Sequence, residues 1–171
     1  MTERLPISVE VNGRLYERDV EPRRTLSDFL RDDLKLKGTH IACEHGFCGN
    51  CNVLVDGLNI RACLMLAVQA EGRSIETVES LAGPRGELDE LQQAFTDAHA
   101  LQCGFCTPAM LLSAKEFLRD NPGVTDEGAI REAISGVLCR CTGYQPIVEA
   151  IQTVAQNRQT AQSIVTGRET A

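Results

Sequence analysis

Eight cysteines carry the chemistry this sequence offers, and they fall into two sets. Cys43, Cys48 and Cys51 follow a C-x4-C-x2-C spacing, and Cys63 follows after eleven further residues. A loop that supplies three thiolates, with a fourth from a separate segment, suits a buried 2Fe–2S core better than a zinc ion, whose sites favour two short knuckles. Gly46 and Gly49 stand where a loop must bring its backbone N–H groups close to sulfur. Cys103 and Cys106 form a C-x2-C pair, and Cys139 and Cys141 a C-x-C pair, with 32 residues between the pairs. Taken alone, this second set fits zinc, a thioredoxin-like redox pair or a second cluster. The redox pair leaves Cys139 and Cys141 without use.

The opening stretch MTERLPISVEV lacks the basic and apolar regions of a secretory signal. Arg23-Arg24 resembles a twin-arginine signal only superficially, because Asp28, Arg31, Asp32 and Asp33 follow. The expected location is therefore cytoplasmic, where free thiols favour metal binding over disulfides. A signal on a partner subunit could still carry the chain elsewhere.

The elements that position these cysteines change character along the chain. Ile7, Val9 and Val11 alternate with polar residues, and Asn12-Gly13 signals a hairpin returning as Leu15 to Val20. Thr25 to Leu34 reads as a short helix, with Thr25 or Ser27 as cap and Leu26, Phe29, Leu30 and Leu34 on one face. Residues 38–51 are loop-like. Asn52 to Val55, the turn Asp56-Gly57 and Asn59 to Leu66 read as a second hairpin, and Ser74 to Val78 as a last strand. Gly83-Pro84-Arg85-Gly86 then marks a linker. Beyond it the period becomes helical: Leu88, Leu91, Phe95 and Ala98 share a face, Thr107-Pro108 opens a second helix, Thr125 caps a third and Pro146 opens a fourth. The expectation is an α+β domain over 1–82, a helical four-helix bundle domain over 83–157, and a polar tail over 158–171.

With 17 basic against 24 acidic side chains, the formal charge of −7 disfavours nucleic-acid binding. No uncharged apolar run reaches the roughly 18 residues of a membrane span. There is no phosphate-binding glycine fingerprint and no nucleophile elbow, so no catalytic residues are expected in the chain. His40 and His45 flank the first cysteine loop and are expected to hydrogen-bond it, since four cysteines already complete that site. His99 reads as structural, and Tyr144 as packing beside Cys141 or at a subunit contact.

CEHGFCGNC at 43–51, Cys63, QCGFCTP at 102–108 and CRCTGY at 139–144 together resemble the small iron–sulfur subunit of the xanthine oxidase family of molybdenum hydroxylases. GTHIAC at 38–43 is most similar to the aerobic carbon monoxide dehydrogenase and bacterial multi-subunit hydroxylase branch. The resemblance spans about residues 5–157 and takes in all eight cysteines. It implies a plant-type ferredoxin-like β-grasp domain followed by a four-helix domain, each holding one 2Fe–2S cluster. It further implies that Gln102 contacts the molybdopterin of a large partner subunit, and that a medium subunit carries FAD. The complex would be a dimer of heterotrimers. Ala42, Ala109, Asn50 and Asn52 depart from the family's usual residues, which bears on loop hydrogen bonding.

The expected function is electron transfer within a molybdenum-containing oxidoreductase, from the molybdopterin site through the C-terminal and then the N-terminal cluster to FAD. A free ferredoxin-like carrier is the alternative, and a zinc-binding module the third reading. The helical second half favours the docked subunit, because a diffusible carrier needs only the first four cysteines.

Overall fold

The computed structural model describes residues 3–168, apart from the side chains of 162 and 164–168. Five strands form one mixed sheet: β1 (Leu5–Val11), β2 (Arg14–Val20), β3 (Asn52–Val55), β4 (Leu58–Arg61) and β5 (Ser74–Glu76), in the order β2-β1-β5-β3-β4. β1 and β5 are parallel, and every other pairing is antiparallel. Asn12 and Gly13 take positive φ (53° and 75°), as a two-residue hairpin turn between right-twisted strands requires. The alternation of Ile7, Val9 and Val11 puts all three in the core.

Helix α1 (Leu26–Asp28) is capped by the Thr25 hydroxyl, which accepts the Asp28 N–H at 3.1 Å. It continues as a wider π-helical turn over Phe29–Asp33, so the expected helix forms with looser winding in its second half. Leu26, Phe29 and Leu30 are fully buried and pack with Ile7, Val9 and Val53. Each such side chain contributes about 1.5–3 kcal/mol through burial. Arg24 closes the segment from outside by pairing with Asp32 and Asp33, while Arg23 pairs with Glu21, so the two arginines belong to a solvated approach to the helix.

β4 ends at Arg61, short of the expected Leu66, for a local reason. The Leu64 N–H turns back to the Arg61 carbonyl at 2.9 Å, and the Ala62 N–H reaches the Cys51 carbonyl at 3.2 Å. That departure from the strand sets Cys63 beside Cys51.

After a tight turn at Gly83–Gly86, four helices follow: α2 (Glu90–Asp97), α3 (Thr107–Asp120), α4 (Glu127–Ile134) and α5 (Gln145–Arg168). Asp89 and Gln92 form a capping box on α2. Two expected caps shift by one residue. Cys106 precedes α3, with Thr107 already helical, and the Asp126 carboxylate caps α4 in place of Thr125, accepting the Ala129 N–H at 2.8 Å. At the end of the chain α5 runs to Arg168, so the polar stretch 158–168 is helical, and 169–171 lie outside the described residues. α2 packs on α3 and α5, and α4 packs on α3 and α5, around a second core that includes Phe95, Met110, Leu112, Ile130, Ile134, Ile147 and Ile151. Leu54 of β3 also enters this core, so the sheet and the helices share an apolar seam. The architecture is mixed α+β. No helix among the described residues is long and apolar enough to cross a membrane.

Candidate metal centres

The first cysteine loop folds around left-handed backbone at Glu44 (φ 57°), Gly46 (φ 80°) and Gly49 (φ 70°), which turns successive N–H groups inward. The Cys48 N–H donates to Cys43 Sγ at 3.4 Å. Backbone donors, that of Cys48 foremost, pull the Cys43 thiol down to about 6, whereas burial pushes Cys51 up to about 12. Cys48, Cys51 and Cys63 are buried, and Cys43 is half-buried at the mouth. Position 46 favours glycine through its φ, and a Cβ there would lie 2.4 Å from Leu64 Cδ1, the end of an exposed side chain that would have to move aside.

The second set forms where two loops meet at one end of the helices. Cys106 sits at the start of α3, and Cys139 and Cys141 lie in the loop before α5. Cys103 Sγ lies 3.1 Å from Cys141 Sγ at the exposed lip, and deeper in, the thiol of Cys106 meets that of Cys139. Burial pushes Cys106 up to about 12, and the Phe105 N–H pulls Cys103 down. All four thiols line a cavity of about 420 Å³ together with Ala42, Asn50, Phe105, Leu138 and Arg140. Around Cys139 the Thr142 hydroxyl lies 3.0 Å from Sγ, and the Cys139 N–H donates to Tyr144 Oη at 2.8 Å. Tyr144 therefore serves Cys139, not Cys141.

The donor chemistry fits a two-iron core. Thiols meet in pairs, Cys43 with Cys48, Cys51 with Cys63, Cys103 with Cys141 and Cys106 with Cys139. Two thiolates per iron is how a Cys₄ 2Fe–2S cluster is held.

Several contacts that the sequence did not disclose join the two centres. The Leu138 N–H donates to the Cys48 carbonyl at 2.8 Å, linking a residue of the first set to the neighbour of Cys139. A Cβ on Gly49 would lie 2.1 Å from the Gly136 carbonyl oxygen, so the two loops touch through bare backbone. The Arg61 guanidinium spans Asn52 Oδ1 and the Gly136 carbonyl, and Asn52 Nδ2 donates to Ser113 on α3 at 3.2 Å. His40 lies 2.7 Å from the Phe105 carbonyl through Nδ1 and stacks on the Phe105 ring. Asn50 and Asn52, the two departures around Cys51, thus face the helical half; Asn50 Nδ2 reaches the Leu138 carbonyl at 3.4 Å.

His45 bonds the Cys43 carbonyl within the first loop. His99 ends α2 with φ 51°. Gln102 is exposed beside Cys103. Phe47 and Leu64 at the first mouth are exposed, as are Leu101, Phe105 and Leu138 near the second.

Comparison with known proteins agrees with this division. Residues 9–79 match the family described as a 2Fe-2S iron-sulfur cluster binding domain, and residues 77–152 match a 2Fe-2S binding domain family. The chain is 57% identical over 144 residues to the 6-hydroxypseudooxynicotine dehydrogenase complex subunit beta of Paenarthrobacter nicotinovorans, covering 84% of this chain and 89% of that protein. It is 54% identical to the caffeine dehydrogenase subunit gamma of Pseudomonas sp. (strain CBB1), over 92% of this chain and 95% of that one. A chain of quinoline 2-oxidoreductase from Pseudomonas putida 86 superposes with a TM-score of 0.87 at 48% identity, covering 92% of this chain and 97% of that chain. Two cluster-binding modules in this order, over nearly the full length of such relatives, place the chain among the small iron–sulfur subunits of the xanthine oxidase family of molybdenum hydroxylases.

Proposed function

We propose that this chain is the electron-transfer subunit of a molybdenum hydroxylase or dehydrogenase complex, passing electrons from a molybdopterin site on a large subunit to FAD on a medium subunit. Cys43, Cys48, Cys51 and Cys63 hold one 2Fe–2S cluster, and Cys103, Cys106, Cys139 and Cys141 hold the other. When bound, the two clusters supply one-electron reduction and reoxidation. The chain's own residues position and insulate: its sheet half, 1–82, buries the N-terminal set, and its helical half, 83–157, acts as a four-helix bundle that presents the C-terminal set to the molybdopterin subunit. Exposed Gln102 contacts the pterin there. The complex is a cytoplasmic dimer of heterotrimers.

The observation that carries this reading is the hydrogen bond from the Leu138 N–H to the Cys48 carbonyl. It ties the two ligand sets into one covalent and hydrogen-bonded frame, which a carrier with a single cluster has no need of. Native purification tests the reading. The chain should elute in a large species containing molybdenum and flavin, and alone it should turn over no substrate, since it offers no acid, base and nucleophile constellation. Recovery as one small species free of both cofactors would favour the diffusible carrier.

A further inference from the structure

Thr142 and Tyr144 follow the C-x-C pair, contact Cys139, and are not among the proposed cluster ligands. Gly143 and Tyr144 both take positive φ, 69° and 68°. Glycine adopts that conformation freely, but tyrosine does not, so something must hold it. Three hydrogen bonds do so in a closed ring. The Cys139 N–H donates to Tyr144 Oη at 2.8 Å, the Tyr144 N–H donates to Thr142 Oγ1 at 3.1 Å, and Thr142 Oγ1 lies 3.0 Å from Cys139 Sγ.

The direction of the last bond follows from counting hydrogens. A hydroxyl has one hydrogen, and here its oxygen already accepts from the Tyr144 N–H. A thiolate has no hydrogen to give. The Thr142 O–H therefore donates to sulfur, and the Thr142 N–H adds a second donor at 3.4 Å.

We propose that Thr142 is a positioning residue that sets the reduction potential of the C-terminal cluster, its hydroxyl stabilising the electron-rich reduced form through Cys139. This rests on the reading of Cys139 as a ligand. Reduction adds negative charge to the cluster and its thiolates, so a donor aimed at a ligand sulfur binds the reduced form more strongly and raises the potential. The site is half-buried, where such a bond is weakened little by water. Tyr144 is part of the device: its backbone N–H donates to Thr142 Oγ1 at 3.1 Å, which holds that oxygen beside Cys139 Sγ. At the first centre the corresponding donor is the Cys48 backbone N–H, which no side-chain substitution removes.

Thr142→Val keeps the shape and loses the hydroxyl. In the assembled complex, a redox titration followed by paramagnetic resonance should show the C-terminal cluster harder to reduce by about tenfold in its equilibrium, about 59 mV for one electron. The N-terminal signal should stay in place, and Thr142→Ser should restore the original potential. An unchanged potential in the valine variant, or an equal shift in the serine variant, would overturn the proposal. If the valine variant does not retain its cluster, the unmodified complex decides. After brief exchange into heavy water, the C-terminal signal should lose a proton coupling faster than its amide couplings decay, and absence of that fast component counts against Thr142. Failure of the underlying reading looks different: Cys139→Ser would then leave the second signal and its potential untouched.

Discussion

The two cysteine centres solve one problem by opposite means. Three cysteines of the N-terminal set lie in a loop whose donors are backbone N–H groups and where Gly49 is pressed against the Gly136 carbonyl. The C-terminal set keeps two thiols exposed, has open space beside Gly104 and Gly143, and draws a donor from the Thr142 side chain. The first centre is fixed by packing against the rest of the chain. The second has a local ring of hydrogen bonds around Cys139 and keeps Cys103 and Cys141 exposed. Both centres share the seam contacts, and the second adds a local ring that the first lacks.

The largest test of that contrast removes one ligand from each centre. Cys139→Ser in the assembled complex should stop electrons before they reach the N-terminal cluster, so substrate reduces molybdenum while flavin stays largely oxidised on the turnover timescale. Cys48→Ser should leave the C-terminal cluster reducible and block only flavin reduction. Rapid mixing with spectroscopic detection separates the two. Normal flavin reduction in either variant, with the damaged cluster confirmed absent, contradicts a linear relay.

Next in size is a matched pair of glycine substitutions. Gly49→Ala combines a left-handed backbone with a Cβ placed 2.1 Å from the Gly136 oxygen, and should cost about 2–4 kcal/mol. Gly143→Ala has the same sign of φ and open space, so it should cost about 1 kcal/mol from the backbone alone. Thermal or denaturant unfolding of the loaded protein measures both, and equal losses would erase the distinction between a packed and an open loop.

Between the centres, Asn52→Ala strips a buried partner from Ser113 and from Arg61 together, which should cost about 1–3 kcal/mol. The smallest effect belongs to the exposed turn between β2 and α1. Arg23→Ala removes an exposed pair with Glu21 and should change stability by less than about 1 kcal/mol in the same unfolding measurement.

How far the sequence disclosed this molecule depended on the range of the interactions. The Asn12-Gly13 hairpin, the buried face of Ile7, Val9 and Val11 and the four C-terminal helices all follow from local chemistry and period, and the structure has them. Thiol spacing alone pointed to a cluster only for the first set, because 32 residues separate Cys103 and Cys106 from Cys139 and Cys141 and their spacing also fits zinc or a redox pair. The errors came where neighbours compete. Asp126 outbid Thr125 for the start of α4, and α5 ran through a polar stretch because polar residues such as Gln and Arg form exposed helix well. Contacts across the seam, Arg61 with Gly136 or Leu138 with Cys48, involve residues 75 and 90 positions apart, and no local pattern encodes them. Thr142 stood in plain view beside the C-x-C pair, but its role depends on the backbone of Tyr144, which the sequence alone does not reveal.

The central claim is that one chain holds two 2Fe–2S centres in two different environments, and spin quantitation of the fully reduced protein tests it most directly. The account predicts about four iron and four acid-labile sulfide per chain, with two distinguishable paramagnetic signals that together integrate to about two spins. A single signal integrating to one spin per chain, or stoichiometric zinc in place of iron in either half, would contradict it.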